Sequence, residues 1–373
     1  MRNILLRLAA LPAFLALSPA GLSANATVEQ HLAEISLPEG FVIELYASGV
    51  ENARQLVRGP GGTVFAGSRK AGKVHAVSDT DNDGFAERVV LIDEDLVMPT
   101  GLEFRDGALF VGALDRILRY DDIESSLDDP PEPVVVSDAF PDKTHHGWKY
   151  LRFGPDGWLY VPVGAPCNIC DETDFAEIRR IRPDGSGMEV WARGVRNSVG
   201  LAFRPESGEL YFTDNGRDLL EDNLPSDELN HAPRKGMHFG YPYCHQGDVA
   251  DPEFGAGRNC AEFTAPAAKL GPHVAALGLT FYSGEQFPAE YRGNLFIARH
   301  GSWNRSAKLG YDIVQAYVAE DGSISGADVF ASGWLQGEQE WGRPNDLLML
   351  PDGSLLVSDD AANAIYRIRY AGE

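Results

Sequence analysis

The stretch HHGWKYLRFGPDGWLYVPVGAP, residues His145 to Pro166, is a hairpin signature with two adjacent histidines at its mouth. Leu151 and Phe153 precede the turn Gly154-Pro155-Asp156-Gly157, and Leu159, Tyr160 and Val161 follow it, which is the pattern strand, tight turn, strand. Related cassettes recur at Leu56 to Ser68 (LVRGPGGTVFAGS), Leu102 to Gly112 (LEFRDGALFVG), Leu201 to Asp214 and Leu347 to Asp359. A further copy, stretched by insertion, runs from Leu279 to Ala298, making six in all. Most are followed by another strand-like run, such as Lys73 to Val77, Arg116 to Tyr120, Asp312 to Tyr317 and Ala364 to Arg369. Six units of about four short strands each, with little helical periodicity between them, predict an all-β, six-bladed β-propeller rather than an open two-sheet sandwich. The early strand at Phe41 to Ala47 is then free to pair into the last blade and close the ring. The wide intervals at 215–275 and 298–343 read as long loops on that scaffold, where binding groups concentrate.

Residues 1–26 are set apart as a secretory signal: Arg2 and Arg7 give a positive start, Leu8 to Leu17 is apolar, and Ala24-Asn25-Ala26 is a small-x-small cleavage site. The single propeller domain then spans 27–373, and the protein is expected in the periplasm or secreted, with no transmembrane anchor after cleavage. The net charge of −23 becomes −25 when Arg2 and Arg7 leave with the signal, which argues against nucleic acid and anionic membranes as partners. Four cysteines in an exported chain suggest two local disulfides, Cys167 with Cys170 and Cys244 with Cys260. A metal or redox role for the Cys-x-x-Cys is the alternative, but no His or Cys completes a zinc set at ordinary spacing.

His145 and His146 precede the third hairpin, Arg196 and Asn197 precede the fourth, and Arg343 precedes the sixth at similar offsets. Equivalent blade positions point toward one axis, so a histidine base and arginines are expected to converge on a central pocket. Asp214-Asn-Gly-Arg217 leaves the fourth hairpin as a turn whose carbonyls suit a hard cation. Arg299, His300, Trp303 and Arg305 crowd into the segment Ala298 to Arg305, which suggests a site for a planar polyanion; the plainer alternative is a loop held by Trp303. Asp79, Asp81 and Asp83 followed by Gly84 carry the first half of a calcium loop, with Val90 in place of the closing glutamate and Glu87 left to contribute instead.

Taken together in order and spacing, several motifs resemble the soluble PQQ-dependent glucose and sorbosone (aldose sugar) dehydrogenases, which are exported six-bladed propellers. They are the His with GPDGWLY eight residues on, GVRNSVGLAF, TDNGRD followed by PSDELN and FGYP, HGSWNR, and the final arginine ahead of LPDGSLLVSDD. The resemblance covers nearly all of the chain after the signal. It implies PQQ and Ca²⁺ as cofactors, a sugar substrate and a separate electron acceptor such as a quinone, a cytochrome or a dye. It implies His146 as the base for the anomeric hydroxyl, and Arg196 and Asn197 at the quinone. Main-chain carbonyls of Gly216 and Arg217 would hold the Ca²⁺, and Arg299, His300, Arg305 and Arg343 the PQQ carboxylates. Against the glucose-oxidising members, this chain has His145 for an Asp, Arg217 for a Pro, Asn345 for a second arginine, and only Pro99 and Thr100 near an expected glutamine. The alternatives are a calcium-dependent sugar lactonase, which needs carboxylate or Asn ligands from several blades, and a propeller that only binds carbohydrate or protein.

Overall fold

In the computed structural model, which describes residues 28–81 and 83–372, nearly all regular structure is strand. The proposed signal at 1–26 lies outside the described residues. Six antiparallel four-stranded arrays form the blades of a propeller. Blade 1 is Ala53–Arg58, Val64–Ser68, Val74–Ser78 and Arg88–Asp93; blade 2 is Gly101–Arg105, Ala108–Gly112, Ile117–Tyr120 and Val134–Ser137. Blade 3 is Arg152–Phe153, Leu159–Val163, Glu177–Ile181 and Glu189–Arg193; blade 4 is Leu201–Phe203, Leu210–Asp214, Ser226–Ala232 and Ala268–Pro272. Blade 5 is Ala276–Phe281, Leu295–Arg299, Asp312–Val318 and Ile324–Ser332. Blade 6 is Pro344–Met349, Leu355–Asp359 and Ala364–Tyr370, and Phe41–Ser48 completes it as the outermost strand, with Phe41 opposite Tyr370 and Ser48 opposite Ala364. The chain thus closes its own ring, and first and last strands share one hydrogen-bonded sheet.

The opening hairpin forms as its residues require. Gly157 adopts φ +81°, which a side chain would disfavour, and its N–H donates to the Gly154 carbonyl at 2.9 Å. Second strands such as Val64–Ser68, Leu159–Val163 and Leu355–Asp359 are buried at every residue because a neighbouring blade covers each face. That is why they read as unbroken apolar runs. Six buried apolar clusters fill the six junctions between blades; Leu109 and Val111 meet Phe65 and Val74 at one, and Trp334, Tyr366 and Phe296 meet at another. Around the axis, polar side chains tie the inner strands together. The Gln55 amide nitrogen donates to the Leu151 carbonyl at 2.7 Å, while its oxygen accepts from the N–H groups of Leu102 and Leu151 at 2.9 and 3.0 Å.

One sequence expectation needs correction. The interval 215–275 is not simply loop: it supplies the third and fourth strands of blade 4, and Met237–His238 adds in parallel beside Glu189–Arg193 of blade 3. Within 298–343 the expected strand at Asp312–Val318 forms, and Ile324–Ser332 adds the outermost strand of blade 5. Both disulfides form as expected, Cys167 with Cys170 and Cys244 with Cys260. Among the described residues no helix is long and apolar enough to cross a membrane.

Candidate active site

A cavity of about 540 Å³ is ringed by residues from all six blades and therefore lies on the propeller axis. The segments entering the inner strands build its wall, so the repeat brings distant parts of the sequence to one place. His146, Arg196, Asn197, Gly216, His300 and Arg343 all line it. Arg217, Arg299 and Arg305 do not line it, and the calcium-loop aspartates lie elsewhere, at the outer edge of blade 1.

His146 is buried at the cavity wall, with its backbone in the left-handed region at φ +50°. A bulky residue held there marks a constrained position. Gly164 permits it, because a Cβ at that glycine would sit 2.6 Å from the His146 Cβ. The imidazole Nδ1 lies 2.9 Å from the Ala165 carbonyl oxygen. A carbonyl only accepts, so Nδ1 carries the proton and Nε2 is left as the acceptor. Burial, then the Arg196 charge and then His145, hold the His146 pKa well below the usual imidazole value. His145 is exposed, and its ring meets that of His146 edge-on at 4.1 Å between centroids. Lys149 is buried without a salt bridge among the described residues, and its ammonium donates to the Gly147 carbonyl at 2.7 Å. Burial, followed by the Arg179 charge, lowers the Lys149 pKa to about 7.

Arg196 is buried and firmly held. Its Nε donates to the Asn168 carbonyl (2.9 Å), Nη1 to the Asn215 carbonyl (3.0 Å), and Nη2 to the Asn168 side chain and to Asp218 (both 2.8 Å). Asn168 sits inside the Cys167–Cys170 loop, so that disulfide fixes the clamp on the arginine. Below it, Asp214 accepts from the backbone N–H of Arg196 (2.9 Å) and Asn197 (2.6 Å), and Asp227 accepts from Gly216 (2.8 Å) and Ala275 (2.7 Å). Gly216 lines the cavity, while the Arg217 guanidinium turns away to Asp251 (2.5 Å) and Glu253.

Burial raises the carboxyl groups of Asp214 and Asp227 to about 7 and about 6, and burial together with the Asp214 charge raises Glu228 to about 8. An acid whose folded-state pKa is raised contributes its stability below the unfolded value and loses it as pH climbs through the folded value. Glu228→Gln is therefore expected to destabilise less at about pH 9 than at about pH 5, read as shifts in urea midpoint. A larger loss at the alkaline end would contradict this account of the cluster.

Two cavity arginines escaped the sequence reading. Arg54, on the inner strand of blade 1, pairs with Asp360 at 2.5 Å, and both side chains are buried. With its amide oxygen turned toward Arg54, Asn345 accepts from Nε at 3.1 Å and Nη1 at 3.0 Å. Arg54 and Asn345 stand two residues ahead of Leu56 and Leu347, the same position in neighbouring blades. The charge missing at 345 is thus present next door, and the repeat offset was the signal that pointed to it. Asp360 also holds His300 Nε2 at 2.7 Å, and burial lowers the His300 pKa to about 4 in spite of that carboxylate. Burial alone would raise the Asp360 carboxyl, but the Arg54 charge and His300 outweigh it and hold it far below the usual range. Arg343 donates to the carbonyls of His300 (3.0 Å) and Gly301 (2.7 Å). The second arginine, Arg69, also faces the cavity.

Elsewhere, Arg299 forms a two-pronged pair with Asp312 (2.6 and 2.5 Å) directly across the blade, and Arg305 bonds the Asp222 carbonyl and Asn223. Trp303 is two-thirds exposed at the cavity rim rather than a buried loop anchor. Asp79, Asp81, Asp83 and Glu87 bring carboxylate oxygens within 4.8 Å of one another, and the buried Asp79 Oδ1 has no hydrogen-bond partner among the described residues.

The site suits an anionic planar cofactor by its chemistry: the guanidiniums of Arg54, Arg196 and Arg343 beside neutral imidazoles, in a strongly acidic protein. Among solved structures, the calcium structure of a Trichoderma reesei Carbohydrate-Active Enzymes Family AA12 protein is similar with TM-score 0.79 and 18% identity, over 90% of this chain and 97% of that one. The holo form of the pyranose dehydrogenase PQQ domain from Coprinopsis cinerea is similar with TM-score 0.76 and 18% identity, with the same coverage. At such identities the likeness shows the shared propeller fold. In sequence, the Escherichia coli aldose sugar dehydrogenase YliI is 28% identical over 148 residues, 39% of this chain and 37% of its own length. A Borreliella burgdorferi protein described as uncharacterized is 32% identical over 364 residues, 93% of this chain and 94% of that one. Matched from residue 27 to residue 366, the chain belongs to the family described as Domain of unknown function (DUF7133).

Proposed function

We propose that the protein is an exported, PQQ- and Ca²⁺-dependent dehydrogenase that oxidises an aldose or related sugar and passes the electrons to a separate acceptor. The observation that carries this reading is a neutral, oriented histidine with a free Nε2, set in a cavity walled by guanidiniums. When bound, the orthoquinone supplies the two-electron oxidising chemistry. His146 Nε2 takes the proton from the anomeric hydroxyl, and its fixed Nδ1–H keeps the ring aimed. Arg196 and Asn197 present donors at the quinone end. Arg343 and Arg54, with the neutral His300 beside them, would hold the carboxylates, and the Gly216 carbonyl would contribute to holding Ca²⁺. Arg217, Arg299 and Arg305 are left out of the site because none of them lines the cavity. Trp303 offers an exposed indole on which a sugar face can rest.

A second Ca²⁺ at Asp79, Asp81, Asp83 and Glu87 would be structural. Two disulfides support a periplasmic or secreted location for the single propeller unit. Against a lactonase-type axial metal, Asp214 and Asp227 are bonded to backbone N–H groups instead of pointing free oxygens at the axis. Calorimetric titration of the metal-stripped protein with PQQ should show saturable binding that requires Ca²⁺ and weakens strongly in Arg343→Ala. Lactone hydrolysis without PQQ binding would contradict the reading.

A further inference from the structure

Three of the four cavity guanidiniums have protein acceptors: Arg54 has Asp360 and Asn345, Arg196 has Asn168, Asn215 and Asp218, and Arg343 has two carbonyls. Arg69 differs. Its guanidinium makes no hydrogen bond or ion pair among the described residues, although the residue is only partly exposed. It lies 3.8 Å above the Trp148 ring, a cation–π contact that orients the fork without supplying an acceptor. Its main chain is pinned by Asn52, whose Oδ1 accepts from the N–H groups of Arg69 (3.0 Å) and Lys70 (2.6 Å). Burial, then the neighbouring Arg54 charge, lowers the Arg69 pKa to about 10, so the charge is kept in an unfavourable place. The Trp148 indole N–H is buried and also lacks an acceptor among the described residues. Trp148 in turn stands edge-on to His146 at 5.5 Å. An unpartnered planar cation therefore faces the cavity one indole away from the base.

We propose that Arg69 is an anion-binding subsite for the substrate, and that the sugar this protein takes carries a carboxylate, as a hexuronic acid does. The inference rests on the dehydrogenase reading for its reaction and on Arg69 and Trp148 for its specificity. The proposal sets the anomeric hydroxyl at His146 Nε2 and the carboxylate end of the sugar toward Arg69, since Trp148 touches both residues. A carboxylate there meets the guanidinium fork in two parallel hydrogen bonds. A neutral sugar leaves the same cation unpaired. A charged hydrogen bond of this kind corresponds to a preference of about 10- to 100-fold.

The test is calorimetric titration of the mature protein, with and without PQQ and Ca²⁺, using D-glucuronate and D-galacturonate against D-glucose and D-galactose. The wild type should bind the hexuronates about 10- to 100-fold more tightly than their neutral counterparts. Arg69→Gln should bring the two classes to within a few-fold while PQQ affinity is retained, and Arg69→Lys should fall between. If PQQ fails to bind yet the hexuronate preference is present and vanishes in Arg69→Gln, the dehydrogenase reading falls and the anion subsite stands. Equal affinity of the wild type for both classes overturns the proposal without recourse to any variant. So does an Arg69→Gln protein that loses PQQ affinity and keeps a hexuronate preference.

Discussion

His146→Ala is expected to lower sugar-dependent dye reduction by about 10³-fold while PQQ affinity stays within a few-fold of the wild type. A positioned general base contributes on that scale, and His146 alone has the geometry for it. Its Nδ1–H is fixed on the Ala165 carbonyl in the cavity wall, whereas His145 is exposed and makes no hydrogen bond among the described residues that would fix its tautomer. His145→Ala is therefore expected to cost far less. The pH dependence carries a further sign. A base works in its neutral form, and burial beside Arg196 holds the His146 pKa well below 6.5. The acid limb of kcat/KM should then fall below pH 6.5, with a plateau through neutrality. Full turnover in His146→Ala with loss in His145→Ala would reverse the assignment.

Asp360→Ala is expected to cost about 3–5 kcal/mol of stability, because it strips the partner from a buried guanidinium. Asp360 accepts from Arg54 at 2.5 Å and from His300 at 2.7 Å, and the Arg54 and Asp360 side chains are each only 7% exposed. The volume-matched apolar pair Arg54→Met with Asp360→Leu should recover most of that loss, since no buried charge is then left alone. It should not recover full PQQ affinity, because one of the two arginines proposed to hold the carboxylates, Arg54, is gone while Arg343 remains. Urea unfolding gives the first quantity and calorimetry the second. A loss below about 1 kcal/mol for Asp360→Ala would place this pair among weak surface contacts.

Much of the fold was legible because each blade repeats one turn signature, and the apolar runs beside it are long enough only for short strands. Ring closure was legible for the same reason: Phe41–Ser48 had no partner of its own in the first unit. The interval 215–275 was misread where strands such as Met237–His238 are two residues long and carry no alternation. In the site, His146, Arg196 and Arg343 could be found from their common offset. Arg54 obeyed the same logic at a different offset and was overlooked beside the more conspicuous Asn345. The segment Ala298 to Arg305 misled in the opposite direction. Nearness in sequence suggested one cluster, but successive side chains of an extended chain face opposite ways. His300 enters the cavity, while Arg299 crosses to Asp312. Arg69 follows its strand and reveals itself only by what it lacks in three dimensions, an acceptor.

The most direct test of the central claim is reduction of an artificial dye by the mature protein loaded with PQQ and Ca²⁺, across a panel of aldoses and hexuronic acids. The account predicts turnover that depends on sugar, on PQQ and on Ca²⁺ together, and that is lost in His146→Ala. Saturation with PQQ and Ca²⁺ and no sugar-dependent reduction anywhere in the panel would contradict it.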